Sequence, residues 1–122
     1  MTTTTAPTTD RLAAFAAAIE NRDADALLTW YAPGATMTVL DREHPPASPT
    51  VLDGIDAVGT YLRDVCGRNI EHEVSDLVAT ADGLAFVQRC RYPDGTGVVC
   101  TSVAALRDGR IERQTSVQVW DA

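Results

Sequence analysis

Apolar residues recur at helical spacing in the first part of this chain and alternate in the second. Leu12, Phe15, Ala16 and Ile19 follow the i, i+3, i+4, i+7 pattern of one buried stripe, which predicts a helix from about Asp10 to Asn21. Thr9 or Asp10 suits its N-cap. A shorter helix is expected from about Asp23 to Tyr31, with Asp23 and Asp25 at its start and Pro33-Gly34 beyond its end. Thr36 to Asp41 reads as a strand. The stretch from Arg42 to Pro49 holds three prolines, so it reads as a loop and a candidate lid. A third helix is expected with Asp53 as cap, a stripe of Ile55, Val58, Tyr61, Leu62 and Val65, and Gly67 just past its end.

From residue 69 to 120 the pattern changes to alternation, cut by Asp82-Gly83, Pro93-Asp94-Gly95 and Asp108-Gly109. Asp-Gly between alternating apolar residues marks a hairpin, because both central residues of a type I′ turn need positive φ. Four antiparallel strands follow. Together with the helices they predict an α+β fold: a cone-shaped, curved antiparallel sheet wrapped around three N-terminal helices, a cystatin-like α+β barrel. The phase of alternation slips by one residue near Ser75-Asp76, as a β-bulge would make it.

Turn length sets register, and register sets which face each residue occupies. A two-residue loop at Asp108-Gly109 pairs Val103 with Gln114 and Thr101 with Ser116. A four-residue turn from Pro93 to Thr96 pairs Cys90 with Val99 and Gln88 with Thr101. These registers place Phe86, Gln88, Cys90, Tyr92, Val99, Thr101, Val103, Gln114, Ser116, Gln118 and Trp120 on one face. That mixture of aromatics, glutamines and hydroxyls is what lines a small-molecule pocket. The other face carries Val87, Val98, Cys100, Ala104, Leu106, Val117 and Val119. It predicts a homodimer through the outer sheet face. Cys90 and Cys100 then point to opposite faces and cannot bridge, whereas a competing register centred on Gly95 would set them face to face.

Composition narrows the partners. The net charge of -7 and pI near 4.6 argue against nucleic acid and against an anionic membrane. No stretch of about 18 apolar residues predicts a spanning helix. Residues 1–9 read as a disordered polar tail without the marks of a signal peptide, and 10–122 as a single domain. Three cysteines without metal-ligand spacing suit a reducing cytoplasm. No metal set and no phosphate-binding glycine loop is evident, so no cofactor is expected.

The motifs Asn21-Arg22-Asp23-Ala24-Asp25-Ala26-Leu27, Tyr31-Ala32-Pro33-Gly34-Ala35-Thr36, Asp53-Gly54-Ile55-Asp56-Ala57-Val58 and Leu106-Arg107-Asp108-Gly109-Arg110-Ile111 resemble those of the nuclear transport factor 2-like superfamily, SnoaL-like branch. The resemblance covers residues 11 to 121. It implies the cone fold and an internal pocket. It leaves activity open, because the superfamily holds polyketide cyclases, ketosteroid isomerases, dehydratases, epoxide hydrolases and non-catalytic modules. The isomerases' general base, oxyanion tyrosine and protonated aspartate fall at Val39, Phe15 and Val103, all apolar. Isomerase chemistry by that residue set is therefore not expected.

Two titrating groups remain as candidates for acid–base work. His72 stands on the inner face of its strand, and the resemblance implies a histidine from that strand in related dehydratases and cyclases. Asp41 ends the first strand and suits a base or an orienting partner for His72. Trp30, Tyr61 and Trp120 suit stacking on a ligand, and Gln88, Thr101, Gln114 and Gln118 suit hydrogen bonds to its oxygens. The expected ligand is a hydrophobic oxygenated small molecule, such as a polyketide or terpenoid, undergoing cyclisation, isomerisation or dehydration. A ligand-binding or accessory module without catalysis is the alternative.

Overall fold

The computed structural model describes residues 5–122. Residues 1–4, and with them part of the tail expected over 1–9, lie outside the described residues. Helix α1 spans Thr9–Glu20, and the Thr8 hydroxyl caps it by accepting from the Arg11 N–H at 3.1 Å. Helix α2 is only Ala24–Leu28, capped by Asp23, whose Oδ1 accepts from the Ala26 N–H at 3.2 Å. It ends before Tyr31 because that residue already starts strand β1, Tyr31–Leu40. Pro33-Gly34 falls inside β1, at the irregularity between Tyr31 and Thr36 where a missing N–H is tolerated.

The proline loop closes a hairpin. A four-residue strand β2, Thr50–Asp53, pairs antiparallel with β1, matching Val39 to Thr50 and Thr36 to Asp53. The periodicity gave no sign of β2, because four residues hold too little alternation. Asp53 is thus a strand residue. Gly54 caps helix α3, Ile55–Cys66, with a φ of 94° that glycine reaches without strain. Gly67 closes α3 in right-handed geometry.

The meander follows as expected: β3 Glu71–Ala79, β4 Gly83–Arg91, β5 Gly97–Arg107 and β6 Arg110–Trp120. The sheet is six-stranded and open, in the order β2-β1-β6-β5-β4-β3. It is mixed, because β1 runs parallel to β6. The bulge near Ser75-Asp76 is present: the register shifts between Ser75 and Val78, and Asp76 has a φ of 53°. Asp108 and Gly109 take positive φ, 52° and 78°, as a type I′ turn requires.

The register of β5 differs from the expectation, for two physical reasons. The Pro93-Asp94-Gly95 connection is a three-residue loop. The Gly95 N–H donates to the Tyr92 carbonyl, Gly95 takes a φ of 91°, and the Tyr92 N–H donates to the Thr96 carbonyl. A type I turn followed by a left-handed residue is the common three-residue hairpin. It pairs Cys90 with Val98 and Gln88 with Cys100. On the other side, Glu112 bulges out of β6, so Leu106 pairs with Ile111 but Ala105 with Arg113. Val98, Cys100, Ser102, Ala104 and Leu106 therefore face inward and are buried. Thr101, Val99 and Val103 face outward, with Val103 62% exposed. Cys90 and Cys100 share the inner face, offset by two residues, and both are free thiols.

The core lies between the helices and the concave face. Phe15, fully buried, packs edge-on against Trp30 at 4.9 Å and Phe86 at 5.3 Å between ring centroids. Arg11 covers the Trp30 ring from outside, 4.4 Å from its centroid.

Candidate functional site

A cavity of about 380 Å³ opens between α3, the concave sheet face and the turn after β1. Helix α3 supplies Tyr61, Leu62 and Val65. The alternation of the strands supplies the opposite wall, because every second residue points inward. His72 comes from β3, Gln88 and Cys90 from β4, Cys100 and Ser102 from β5, and Gln114, Ser116, Gln118 and Trp120 from β6. Asp41, Arg42 and Glu43 stand at the end of β1, and Arg42 lies 4.7 Å from the Trp120 ring centroid. The size suits one small organic ligand, and the wall is mixed: aromatic and aliphatic side chains alternate with the glutamines and serines, and Asp41, Arg42, Glu43, Asp64 and Arg68 add charge.

Cross-strand pairing brings the central group together. His72 is opposite Cys90, and Gln88 is diagonal to His72. The Gln88 amide nitrogen is 3.0 Å from His72 Nδ1, and the Cys90 sulfur is 3.2 Å from the same atom. The amide nitrogen can only donate, so Nδ1 accepts and the ring proton is assigned to Nε2. Burial, then the Arg22 guanidinium, hold the His72 pKa below its ordinary value. The ring is neutral at pH 7. Burial first, then the neighbouring Cys100, push the Cys90 thiol up to about 11, with a Gln88 hydrogen bond working against them. Cys90 is a protonated donor there and not a ready nucleophile.

A second hydrogen-bonded set runs along the floor. The Tyr31 hydroxyl donates to Gln114 Oε1 at 2.6 Å, Gln114 Nε2 donates to Ser116 at 3.0 Å, and Ser116 meets Ser102 at 2.8 Å. These groups are buried, so leaving any of them unpaired would be costly. Higher up, Trp120 Nε1 donates to Gln118 at 2.9 Å. Burial, then Cys100 and Asp41, push the Tyr61 hydroxyl up to about 12 despite a hydrogen bond with Gln118.

Asp41 lines the cavity but pairs with His44, not with His72. Its Oδ1 accepts from the Glu43 and His44 backbone N–H groups and lies 2.9 Å from the His44 ring. Slight desolvation raises its pKa, but the His44 side chain and the Glu43 N–H outweigh this and hold the carboxyl below its usual value. Its Oδ2 carries no such bond among the described residues. The structure gathers Tyr61, Gln88, Gln114, Gln118, Trp120, His72 and Asp41 around one cavity. It does not bring Thr101 or Trp30 there. Thr101 is exposed on the outer face through the register shift, and Trp30 is core beside Phe15. Cys100 and Ser102 take the inner positions that Thr101 and Val103 were expected to hold. The left-handed glycine in Pro93-Asp94-Gly95 is the signal that would have found them. Among the described residues no three His, Cys, Asp or Glu side chains form a group able to hold a metal.

The SnoaL-like domain family matches residues 12–114, most of the chain. This chain belongs to the SnoaL-like family. No functionally curated protein matches the sequence. Solved structures do. A nuclear transport factor 2-like protein of unknown function from Mesorhizobium loti is similar at 16% identity, with 86% of this chain and 84% of that one covered and a TM-score of 0.76. A proposed ketosteroid isomerase from Kribbella flavida is similar at 17% identity, over 91% of this chain and 76% of that one, with a TM-score of 0.70. A proposed isomerase from Bacillus subtilis is similar at 20% identity, over 88% and 83%, with a TM-score of 0.68. At such identities the likeness establishes a shared fold. Within the SnoaL-like fold, the cavity is where this chain's own chemistry has to be read.

Proposed function

We propose that this SnoaL-like protein binds a small, hydrophobic, oxygenated molecule of polyketide or terpenoid type and performs acid–base chemistry on it. The observation that carries the reading is the neutral His72, whose Nδ1 is held by Gln88 and Cys90 within the cavity wall. Its Nε2–H is left to donate to a ligand carbonyl. A neutral imidazole so placed polarises a carbonyl and stabilises an enolate oxygen. Asp41 supplies the proton acceptor: the open Oδ2 takes a proton from the carbon beside that carbonyl, and the electron pair moves onto the oxygen facing His72. Returning the proton from Asp41 at another carbon of a conjugated enolate completes an isomerisation; delivering it instead to a β-hydroxyl, which leaves as water as the enolate electrons form the C=C bond, completes a dehydration. Gln118, Gln88 and Gln114 orient the oxygens, while Tyr61 and Trp120 cover the apolar body. We place the protein in the cytoplasm as a homodimer.

Deuterium exchange next to the carbonyl of unsaturated ketones, followed by NMR in D₂O, tests this. His72→Ala and Asp41→Asn should each slow exchange by about 10²–10⁴ while ligand binding persists. A second reading, binding without turnover, is favoured by the apolar Phe15 and Val39 at the positions where the resemblance puts isomerase groups; both are core residues. Saturable binding with no exchange in the unmodified protein would select it.

A further inference from the structure

Behind the main cavity is a second, smaller space of about 50 Å³. Its own walls are apolar core: Phe15, Ile19, Leu27 and Phe86, with Tyr31 and Cys66 at the edges. Five residues line both spaces: Leu62 and Val65 from α3, and His72, Gln88 and Gln114 from the sheet. Of these shared residues, the two from the helix are apolar and the three from the sheet are the polar groups already described, and we take the gap between them as the neck that joins the two spaces.

We propose that this annex is a subsite for a short unbranched or once-branched alkyl end of the ligand, attached directly to its reacting carbonyl. The inference rests on the reading of the cavity as a site for an oxygenated small molecule. The size argues for the length: a water-sized probe occupies about 10–15 Å³, so the space takes about three or four carbon atoms. The chemistry argues for the orientation. An alkyl group in the annex is surrounded by Phe15, Ile19, Leu27 and Phe86, none of which can satisfy a polar atom. An oxygen one bond before it stands in the neck, beside His72, whose Nε2–H is the donor left for a ligand carbonyl. The rest of the ligand, with its other oxygens, fills the larger space toward Gln118 and Trp120. The annex thus selects against ligands whose polar groups lie at that end, since a buried oxygen without a partner is costly.

Alkyl phenyl ketones from acetophenone to hexanophenone are the probes, with affinities measured by calorimetry. Affinity should rise about fourfold per added methylene up to three or four chain carbons and then level or fall. Phe86→Leu should move that limit outward by a carbon or two. Cys66→Leu, at the less buried edge, should move it inward, and it serves if Phe86→Leu does not fold. Binding across the series with no break, or with a break that neither variant moves, overturns the annex and leaves the cavity reading standing. No binding by any member overturns both. A break that moves as stated supports the annex.

Discussion

His72 and Cys90 stand opposite one another across β3 and β4, with the imidazole Nδ1 3.2 Å from the thiol sulfur. The ring is half-buried, and burial first, then Arg22, oppose its protonation. The folded pKa lies below the unfolded value of about 6.5. The unfolded chain therefore takes up this proton first as pH falls. His72's contribution to stability is complete above about pH 6.5 and is lost as pH falls through the folded pKa. Urea unfolding between pH 7.5 and 5 should show a shallower loss of stability in His72→Gln than in the parent. Parallel slopes would contradict the assignment.

Tyr31 and Gln114 make a second test, of the cavity floor. The Tyr31 hydroxyl is the donor to Gln114 Oε1 in a site closed to water, and burial raises its pKa further above the ordinary range. Tyr31→Phe keeps the ring and removes the donor. The unfolding free energy should drop by about 1–3 kcal/mol, the cost of an orphaned buried acceptor. A loss under a few tenths would mean that Gln114 finds another partner.

Gly95 decides the β4–β5 register through its φ of 91°, and a Cβ there would touch nothing within 4 Å. Gly95→Ala should cost about 1–2 kcal/mol from backbone strain alone. Gly34→Ala, also in open space but without positive φ, is the control and should be close to neutral. Thermal melts of the two variants side by side give the answer. Equal melting temperatures would remove the argument for a three-residue loop.

The outer sheet face carries Val103 and Val119, 62% and 68% exposed, beside Val99 and Val117. An exposed valine patch of this kind is what a partner subunit covers. In the proposed homodimer this patch replaces the stripe expected from sequence, since Val98, Cys100, Ala104 and Leu106 turn out to be interior. Val103→Lys with Val119→Lys should shift a sedimenting dimer to monomer at micromolar concentration without unfolding it. A parent protein that already sediments as a monomer would end the proposal.

Much of the fold was legible because its signals are local. The helix stripes, the capping residues near Asp23, the Asp108-Gly109 turn and the slip at Ser75-Asp76 all depend on neighbours within a few residues. Alternation within a strand is equally local, so Gln88 and Cys90 on β4, and Gln114, Gln118 and Trp120 on β6, were assigned to the inner face from sequence. Their agreement with the structure hides two compensating features. The three-residue loop at Gly95 moves β5 by one residue, and the bulge at Glu112 moves β6 back. The strand between them, with Thr101, Val103, Cys100 and Ser102, is inverted relative to the reading from periodicity, and so is Ile111, which precedes the bulge and is fully buried.

Sequence alone therefore determined the three helices, the first strand and the four meander strands, their order, the family resemblance, and the inner placement of Gln88 and Cys90 on β4 and of Gln114, Gln118 and Trp120 on β6. Tertiary structure decided which parity of β5 faces the cavity, that β1 lies parallel to β6 with β2 at its edge, that Trp30 is core, and that Asp41 pairs with His44 while His72 pairs with Gln88 and Cys90. The physical reason is that a period of two states which residues share a face but not which face is inside. That choice turns on whole-residue counts at loops and bulges, and those counts are fixed when backbone geometry and burial are satisfied across strands far apart in the chain.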